Sequence, residues 1–149
     1  MIVVFVCTGN SCRSPIAEGI LEQRIAETPG LDIKVESAGV MVPPGISVSA
    51  NSVSVAMEHG IDISLHEPRQ ITREIINKAD LILVMEFSQK ALLISAVREA
   101  ESKIFLLKEY CSSNTGEIDD PIGMGKEVYE KIYSEIEIEI DRILQCIEK

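Results

Sequence analysis

Two cysteines and an arginine fall close together near the amino terminus, in the stretch Val-Cys-Thr-Gly-Asn-Ser-Cys-Arg-Ser-Pro at residues 6–15. Cys7 follows directly on an apolar run, so a strand delivers a thiol to the mouth of a short polar loop, and the loop ends where a helix can begin. In such a strand–loop–helix turn successive backbone N–H groups point inward, and the helix adds the positive end of its dipole, which together make a cradle for an anion. Gly9 is expected to supply backbone angles that a side chain would forbid. The Arg13 guanidinium can fork onto two oxygens of a phosphate. An electropositive ring of this kind favours a thiolate at its centre, and the thiolate is the attacking form. Cys7 is thereby placed as a nucleophile towards a bound phosphoryl group, with Arg13 and the backbone donors stabilising the charge of the transition state. By itself a cysteine at a strand end reads as a buried, inert residue. Gly9, Arg13 and Ser14-Pro15 beside it favour the nucleophile.

The elements that must hold this loop are legible on either side of it. Residues 1–6 form a continuous β-branched apolar run, the pattern of a strand covered on both faces. Ser14 is a good N-cap and Pro15 fits a first helical position; Ile16, Ile20, Leu21 and Ile25 then recur at helical spacing until Pro29-Gly30. Further strands are predicted over residues 32–37, 81–84 and 103–107, with helices through Ala50 to Met57, closed by Gly60, and over residues 72–79, 91–97 and 126–148. The last of these contains Glu-Ile-Glu-Ile-Glu-Ile, which alternates like a strand, but Val128, Ile132, Ile136, Ile140 and Leu144 continue a helical stripe through it. Alternating strands and helices predict an α/β fold: one three-layer domain over residues 1–149, with a four-stranded parallel sheet and helices on both faces. Ligands of such sheets bind beyond the carboxyl ends of the strands, where residues 7–13 fall.

The whole chain narrows the possibilities. Its 149 residues, 46% hydrophobic, suit one domain with its own core. A formal charge of -10 argues against nucleic acid or an anionic membrane as partner, because the far field repels phosphate backbones. No apolar stretch has the length of a membrane span, and the amino terminus lacks the pattern of a signal peptide, so a cytoplasmic location is expected. The four cysteines, Cys7, Cys12, Cys111 and Cys146, are expected as free thiols in a reducing compartment.

The Cys-x5-Arg-Ser-Pro run directly after a first strand resembles the low-molecular-weight protein tyrosine phosphatases, and the form Cys-Thr-Gly-Asn-Ser-Cys-Arg-Ser-Pro is similar to their bacterial branch, close to the protein arginine phosphatases. Ser-Ala-Gly at residues 37–39, His-Glu-Pro-Arg-Gln-Ile-Thr at 66–72, the run at 79–86 and Asp120-Pro121 extend the resemblance along essentially the whole chain. The resemblance implies a phosphatase acting through a cysteinyl phosphate. It makes Cys7 the nucleophile, Arg13 the phosphate ligand and Asp120 the general acid, then base. Thr8, Gly9, Asn10, Ser11, Cys12 and Ser14 would complete the phosphate loop. Ser14 would hydrogen-bond the Cys7 thiolate, while Asn10, helped by Ser37 and His66, would hold the loop in a strained shape. No metal or cofactor is required; phosphorylated proteins are the implied partners and inorganic phosphate the product. Cys12 could pack under the loop or close a protective disulfide with Cys7, as the family's paired cysteines do.

Other features have plainer readings. Cys111 and Cys146 lack metal-ligand spacing and are expected to be unexceptional, His59 to end a helix, and Glu135, Glu137 and Glu139 to form a solvated face. Many family members follow Asp-Pro with tyrosines that sandwich a phenol ring, whereas Ile122-Gly123 stands here, so Val40 and Ile122 are the expected substrate rim. Three Phe, three Tyr and no Trp leave little aromatic surface for a phosphotyrosine wall. The Asp119-to-Glu137 stretch looks more like the arginine phosphatases, in which a loop threonine selects the guanidinium; Ser11 stands there and keeps the hydroxyl. Phosphotyrosine and phosphoarginine are both open as substrates. An arsenate reductase of the same fold would need a downstream cysteine pair, and a non-catalytic phosphoprotein-binding module would need no Asp120.

Overall fold

The computed structural model describes residues 1–149. In chain order the elements are β1 (Ile2–Cys7), α1 (Arg13–Glu27), β2 (Lys34–Gly39), α2 (Ala50–Glu58), α3 (Arg73–Lys78), β3 (Leu81–Val84), α4 (Phe87–Ala96), a 3₁₀ turn (Arg98–Lys103), β4 (Ile104–Leu106) and α5 (Lys126–Ile147). The strands make one sheet in the order β2-β1-β3-β4 with every pair parallel. The chain leaves β1 for β2 on one side and returns to β3 on the other, so the crevice that such a reversal opens lies at the carboxyl end of β1, at Cys7.

The apolar run of β1 has no polar face because both faces are covered. Val3, Phe5 and Cys7 enter the core shared with α1, α2 and α5. Val4 and Val6 enter the opposite core, with Ile76 of α3 and Leu93 of α4. The Glu-Ile alternation of α5 is helical: Ile132, Ile136, Ile140 and Ile143 are buried on one face, and only Ile138 is turned out, 66% exposed.

Several local expectations are corrected. Helix α1 begins at Arg13 with Cys12 as its cap residue and no side-chain cap bond, so Ser14 is not the N-cap. Its hydroxyl is engaged with the Cys7 thiol and the Asn10 amide instead. The glutamates of α5 are not a free solvated face. Glu137 and Asp141 hold Arg24 of α1 at 3.0 and 2.8 Å, Glu139 pairs with Arg142, and Glu135 lies 4.0 Å from Lys108. Arg24 thus offsets part of the acidic charge of α5 at its seam with α1, while Glu139 is met within α5 and Glu135 from the turn after β4. His59 does end α2, and its ring stacks on Tyr133 of α5 with centroids 4.0 Å apart.

The expectation of four free thiols also fails. Cys111 and Cys146 are joined in a disulfide, with Cα atoms 6.5 Å apart, while Cys7 and Cys12 are free. Sequence spacing could not show this pairing, because it depends on the turn after β4 folding back on the end of α5. Arg142 holds the same turn noncovalently, donating to the carbonyls of Tyr110 and Leu107. The bridge closes a separation of 35 residues, so it should add about 2–4 kcal/mol to the unfolding free energy by restricting the unfolded chain. Urea unfolding of the wild type with and without a dithiol reductant should show a lower midpoint when reduced, and a Cys111→Ser/Cys146→Ser variant should unfold at that lower midpoint under both conditions. Identical midpoints for all four samples would leave the bridge without a stabilising role.

Candidate active site

Cys7 ends β1 almost fully buried, with its Sγ 2.9 Å from the Ser14 hydroxyl. The Asn10 amide donates to that hydroxyl at 2.8 Å and to the Ser37 hydroxyl at 3.0 Å. Its carbonyl oxygen accepts from the Arg69 backbone N–H at 3.0 Å and from His66 Nε2 at 3.1 Å. His66 Nε2 also lies 3.0 Å from the Asn10 backbone oxygen; both its partners are acceptors, so the neutral ring carries its proton on Nε2. All of this surrounds a backbone in the left-handed region, with Asn10 at φ 53°. Asparagine is among the side chains that enter this region at least cost, and five hydrogen bonds over-determine the conformation. The expectation that Gly9 supplies the unusual angles is therefore wrong. Gly9 has no positive φ, and a Cβ there would meet nothing nearer than 3.5 Å.

The glycine that the loop does require is Gly39, at the end of β2. A Cβ on it would stand 2.6 Å from the Thr8 carbonyl oxygen and 2.9 Å from the Asn10 nitrogen. Only a hydrogen fits between β2 and the loop, which explains Ser-Ala-Gly at this place. Beyond it, Val40 and Met41 donate their N–H groups to the carbonyls of Cys7 and Thr8 at 3.0 and 2.9 Å.

Arg13 is 1% exposed. Its Nη1 donates to Glu86 at the carboxyl end of β3 and to the Ile118 carbonyl, at 2.9 and 2.7 Å. Its Nη2 lies 3.6 Å from Asp120, whose side chain is 38% exposed. Its Nε is buried and bonded to no protein group. One edge of the guanidinium is thus anchored, and the Nε–Nη2 edge, the one that forks onto a tetrahedral oxyanion, is free to do so. The Ile122 N–H donates to Asp120 at 3.1 Å, turning the carboxylate into position beside Arg13.

The remaining expected residues are placed as follows. Ser11 is buried, and its carbonyl accepts from Ser49 at 2.8 Å. Cys12 is buried with its Sγ 3.7 Å from the Ser11 hydroxyl and from the Tyr129 hydroxyl. Ile122 is 57% exposed beside Asp120. Val40 does not stand free at a rim: it packs against the α3–α4 core and lines a cavity there of about 260 Å³ with Ile71 and Leu93. The exposed apolar residue of that loop is Met41. No group of three or more His, Cys, Asp or Glu side chains is set to hold a metal ion. Sequence reasoning missed Glu86 and Glu18. A carboxylate closing an otherwise apolar strand was the available signal for Glu86; Glu18, which accepts from the Ser37 hydroxyl, lay within an ordinary helical polar face.

Glu18 and His66 shape how the loop responds to pH. Burial raises the Glu18 pKa above its ordinary 4.5, against the Ser37 hydrogen bond and the Arg69 charge, with Glu36 adding to the rise. Burial lowers that of His66 below 6.5, against its bond to Asn10. For His66, stability present above pH 6.5 is lost as pH falls through the lowered value; for Glu18, stability present below pH 4.5 is lost as pH rises through the raised value. The two oppose each other between these limits. Glu18→Gln should therefore steepen the loss of stability as pH falls from 6.5 to 4.5, and His66→Gln should flatten it, read as urea midpoints on a common pH series. Parallel curves for wild type and both variants would contradict the assignment.

Comparison with known proteins agrees with this geometry. The family model for "Low molecular weight phosphotyrosine protein phosphatase" matches residues 2–149. A protein-arginine-phosphatase of Bacillus subtilis (strain 168) is 34% identical over 149 residues, covering 100% of this chain and 98% of the relative. The solved low molecular weight protein tyrosine phosphatase of T. tengcongensis is 43% identical, with a TM-score of 0.90 over 97% of this chain and 98% of its own. A YwlE arginine phosphatase variant solved with a phosphorylated active-site serine is 34% identical, with a TM-score of 0.93 over 100% of this chain and 97% of its own. From the loop geometry through to the full-length match, the chain belongs to the low molecular weight phosphotyrosine protein phosphatase family.

Proposed function

We propose that this chain removes phosphate from arginine side chains of proteins, through a phosphocysteine at Cys7. The observation that carries the phosphatase reading is the buried Arg13. Its Nη1 is committed to Glu86 and Ile118 while its buried Nε has no protein partner, at the end of the loop in which Cys7 contacts Ser14 at 2.9 Å. In the first step the Cys7 thiolate attacks phosphorus while Ser14 donates to the sulfur. The bond from phosphorus to the leaving nitrogen or oxygen breaks, and Asp120 gives that atom its proton. In the second step Asp120 takes a proton from water, the hydroxide attacks phosphorus, and inorganic phosphate leaves with the thiolate restored. Arg13 and the loop N–H groups stabilise the equatorial oxygens throughout. A phosphoprotein-binding module would have no use for Asp120 beside Arg13.

Arginine as the substrate residue is supported by the walls beside Asp120. Ile122 and Met124 are exposed there, no aromatic residue stands between the Asp-Pro turn and the buried Tyr129 of α5, and Asp119 adds a carboxylate suited to a guanidinium. Phosphotyrosine is the second reading, favoured by the 43% identity to the T. tengcongensis phosphatase. The cytoplasm, where phosphorylated proteins would meet the enzyme, is the proposed location; no helix is long and apolar enough to cross a membrane.

Three tests follow from this mechanism and its substrate. Cys7→Ser should abolish turnover of para-nitrophenyl phosphate while still binding inorganic phosphate, and Asp120→Asn should slow poor leaving groups by about 10² to 10⁴ but good ones far less. An equal loss across a leaving-group series would remove Asp120 from proton transfer. Ser11→Ile should shift the ratio of kcat/KM from a phosphoarginine peptide towards its phosphotyrosine counterpart. A hydroxyl lost from a buried polar contact costs about 1–3 kcal/mol, whereas a phenol ring gains an apolar neighbour. An unchanged ratio would show that Ser11 does not read the substrate.

A further inference from the structure

Beyond the residues that touch the phosphoryl group, the geometry points to Gln89 as the positioning residue that couples the two ends of the catalytic loop. The inference rests on the phosphatase reading above, though not on the choice between arginine and tyrosine. Gln89 lies in the first turn of α4 and is 1% exposed. Its amide nitrogen donates to the Thr8 hydroxyl at 3.1 Å, at the start of the loop, and to Glu86 Oε2 at 2.9 Å. That same Glu86 oxygen accepts from Arg13 Nη1 at 2.9 Å, at the loop's end. The Gln89 carbonyl oxygen meanwhile accepts the N–H groups of Met85 and Glu86, at 2.9 and 3.0 Å, where β3 passes into α4.

The consequence follows from donor and acceptor arithmetic. The amide spends its carbonyl on the β3–α4 turn and both N–H bonds on Thr8 and Glu86, so every polar atom of Gln89 is used. Glu86 carries the charge that faces Arg13, but a carboxylate only accepts and cannot fix its own orientation. The Gln89 N–H holds Oε2 in line with Nη1 and ties that line to Thr8. The rotamer of Arg13, and with it the free Nε–Nη2 edge, is therefore tied through one buried amide to the backbone next to Cys7. A side chain that merely capped α4 would need its carbonyl oxygen alone.

Gln89→Glu separates the two roles. It keeps an acceptor for Met85 and Glu86 but replaces the donor with a second carboxylate oxygen facing Glu86. At pH 7 the inhibition constant of inorganic phosphate should rise, and kcat/KM for para-nitrophenyl phosphate should fall, each about tenfold, the weight of one charge-assisted hydrogen bond. As pH falls towards 5, a protonated Glu at this position regains one donor, enough for Glu86 but not for Thr8 as well, so the ratio of variant to wild-type kcat/KM should climb part of the way back towards one. A ratio that stays flat with pH, or an unchanged phosphate constant, would overturn the proposal, whatever the thermal stability. Thr8→Val, which removes the far end of the link and leaves the α4 cap intact, gives a second reading: it should weaken phosphate binding and lose most of its effect when combined with Gln89→Glu. Should the Gln89 variant not fold, normal phosphate binding in Thr8→Val would by itself refute the link. Failure of the phosphatase reading looks different, as wild type without turnover.

Discussion

The buried guanidinium of Arg13 is the constraint to which the architecture answers. A cation 1% exposed at the end of a parallel sheet is destabilising unless its N–H groups are met, and removing a partner would leave an uncompensated charge in the interior. Two elements that lie far along the chain converge to meet it: Glu86 from the end of β3, and the Ile118 carbonyl from the segment before α5. They satisfy one end of the fork and leave the other for an oxyanion. The sheet order makes this convergence possible, because β3 lies beside β1 and so brings Glu86 next to the loop that β1 feeds.

The second demand is a backbone one. An anion cradle requires the loop to turn its N–H groups inward, and the loop's one residue in the left-handed region is Asn10. Such a conformation persists where its surroundings leave no alternative. Here the surroundings are the Asn10 amide bonded to Ser14 and Ser37, the His66 ring and the Arg69 N–H bonded back to Asn10, and Gly39 allowing β2 to lie against the loop. The amide that restrains the loop also occupies an acceptor position on the Ser14 hydroxyl, which leaves that hydroxyl's own proton for the Cys7 sulfur. Loop shape and nucleophile environment are thus parts of one hydrogen-bond network, with Glu18 and His66 as its titratable members.

Away from the site, the acidic excess is organised rather than dispersed. Arg24 ties α1 to α5 through Glu137 and Asp141, and Arg142 ties α5 to the turn after β4, where the Cys111–Cys146 bridge adds a covalent tie. These contacts seat α5 against the helix that follows the catalytic loop. They also restrain the segment running from Cys111 to Ile118 and Asp120, which supplies the second partner of Arg13 and the acid beside it.

Much of this was readable in the chain itself. The β-branched runs at residues 2–7 and 81–84, the helical stripe of α5 beneath its Glu-Ile alternation, and the Cys7-to-Arg13 spacing are short-range patterns, and burial on one or two faces imposes them within a few residues. They suffice for a parallel α/β sheet with an anion loop at its carboxyl edge. What the chain could not disclose are pairings set by packing between distant elements. Asn10 rather than Gly9 takes the left-handed turn because bonds from residues 37, 66 and 69 stabilise it. Glu86 and Gln89 reach the loop only because β3 pairs with β1, and Cys111 meets Cys146 only once α5 packs beside α1 with its last turns against the turn after β4. Periodicity records which face of an element is buried. The partner met on that face is decided by tertiary geometry, because the direction of each hydrogen bond depends on the relative placement of elements that local propensity leaves open.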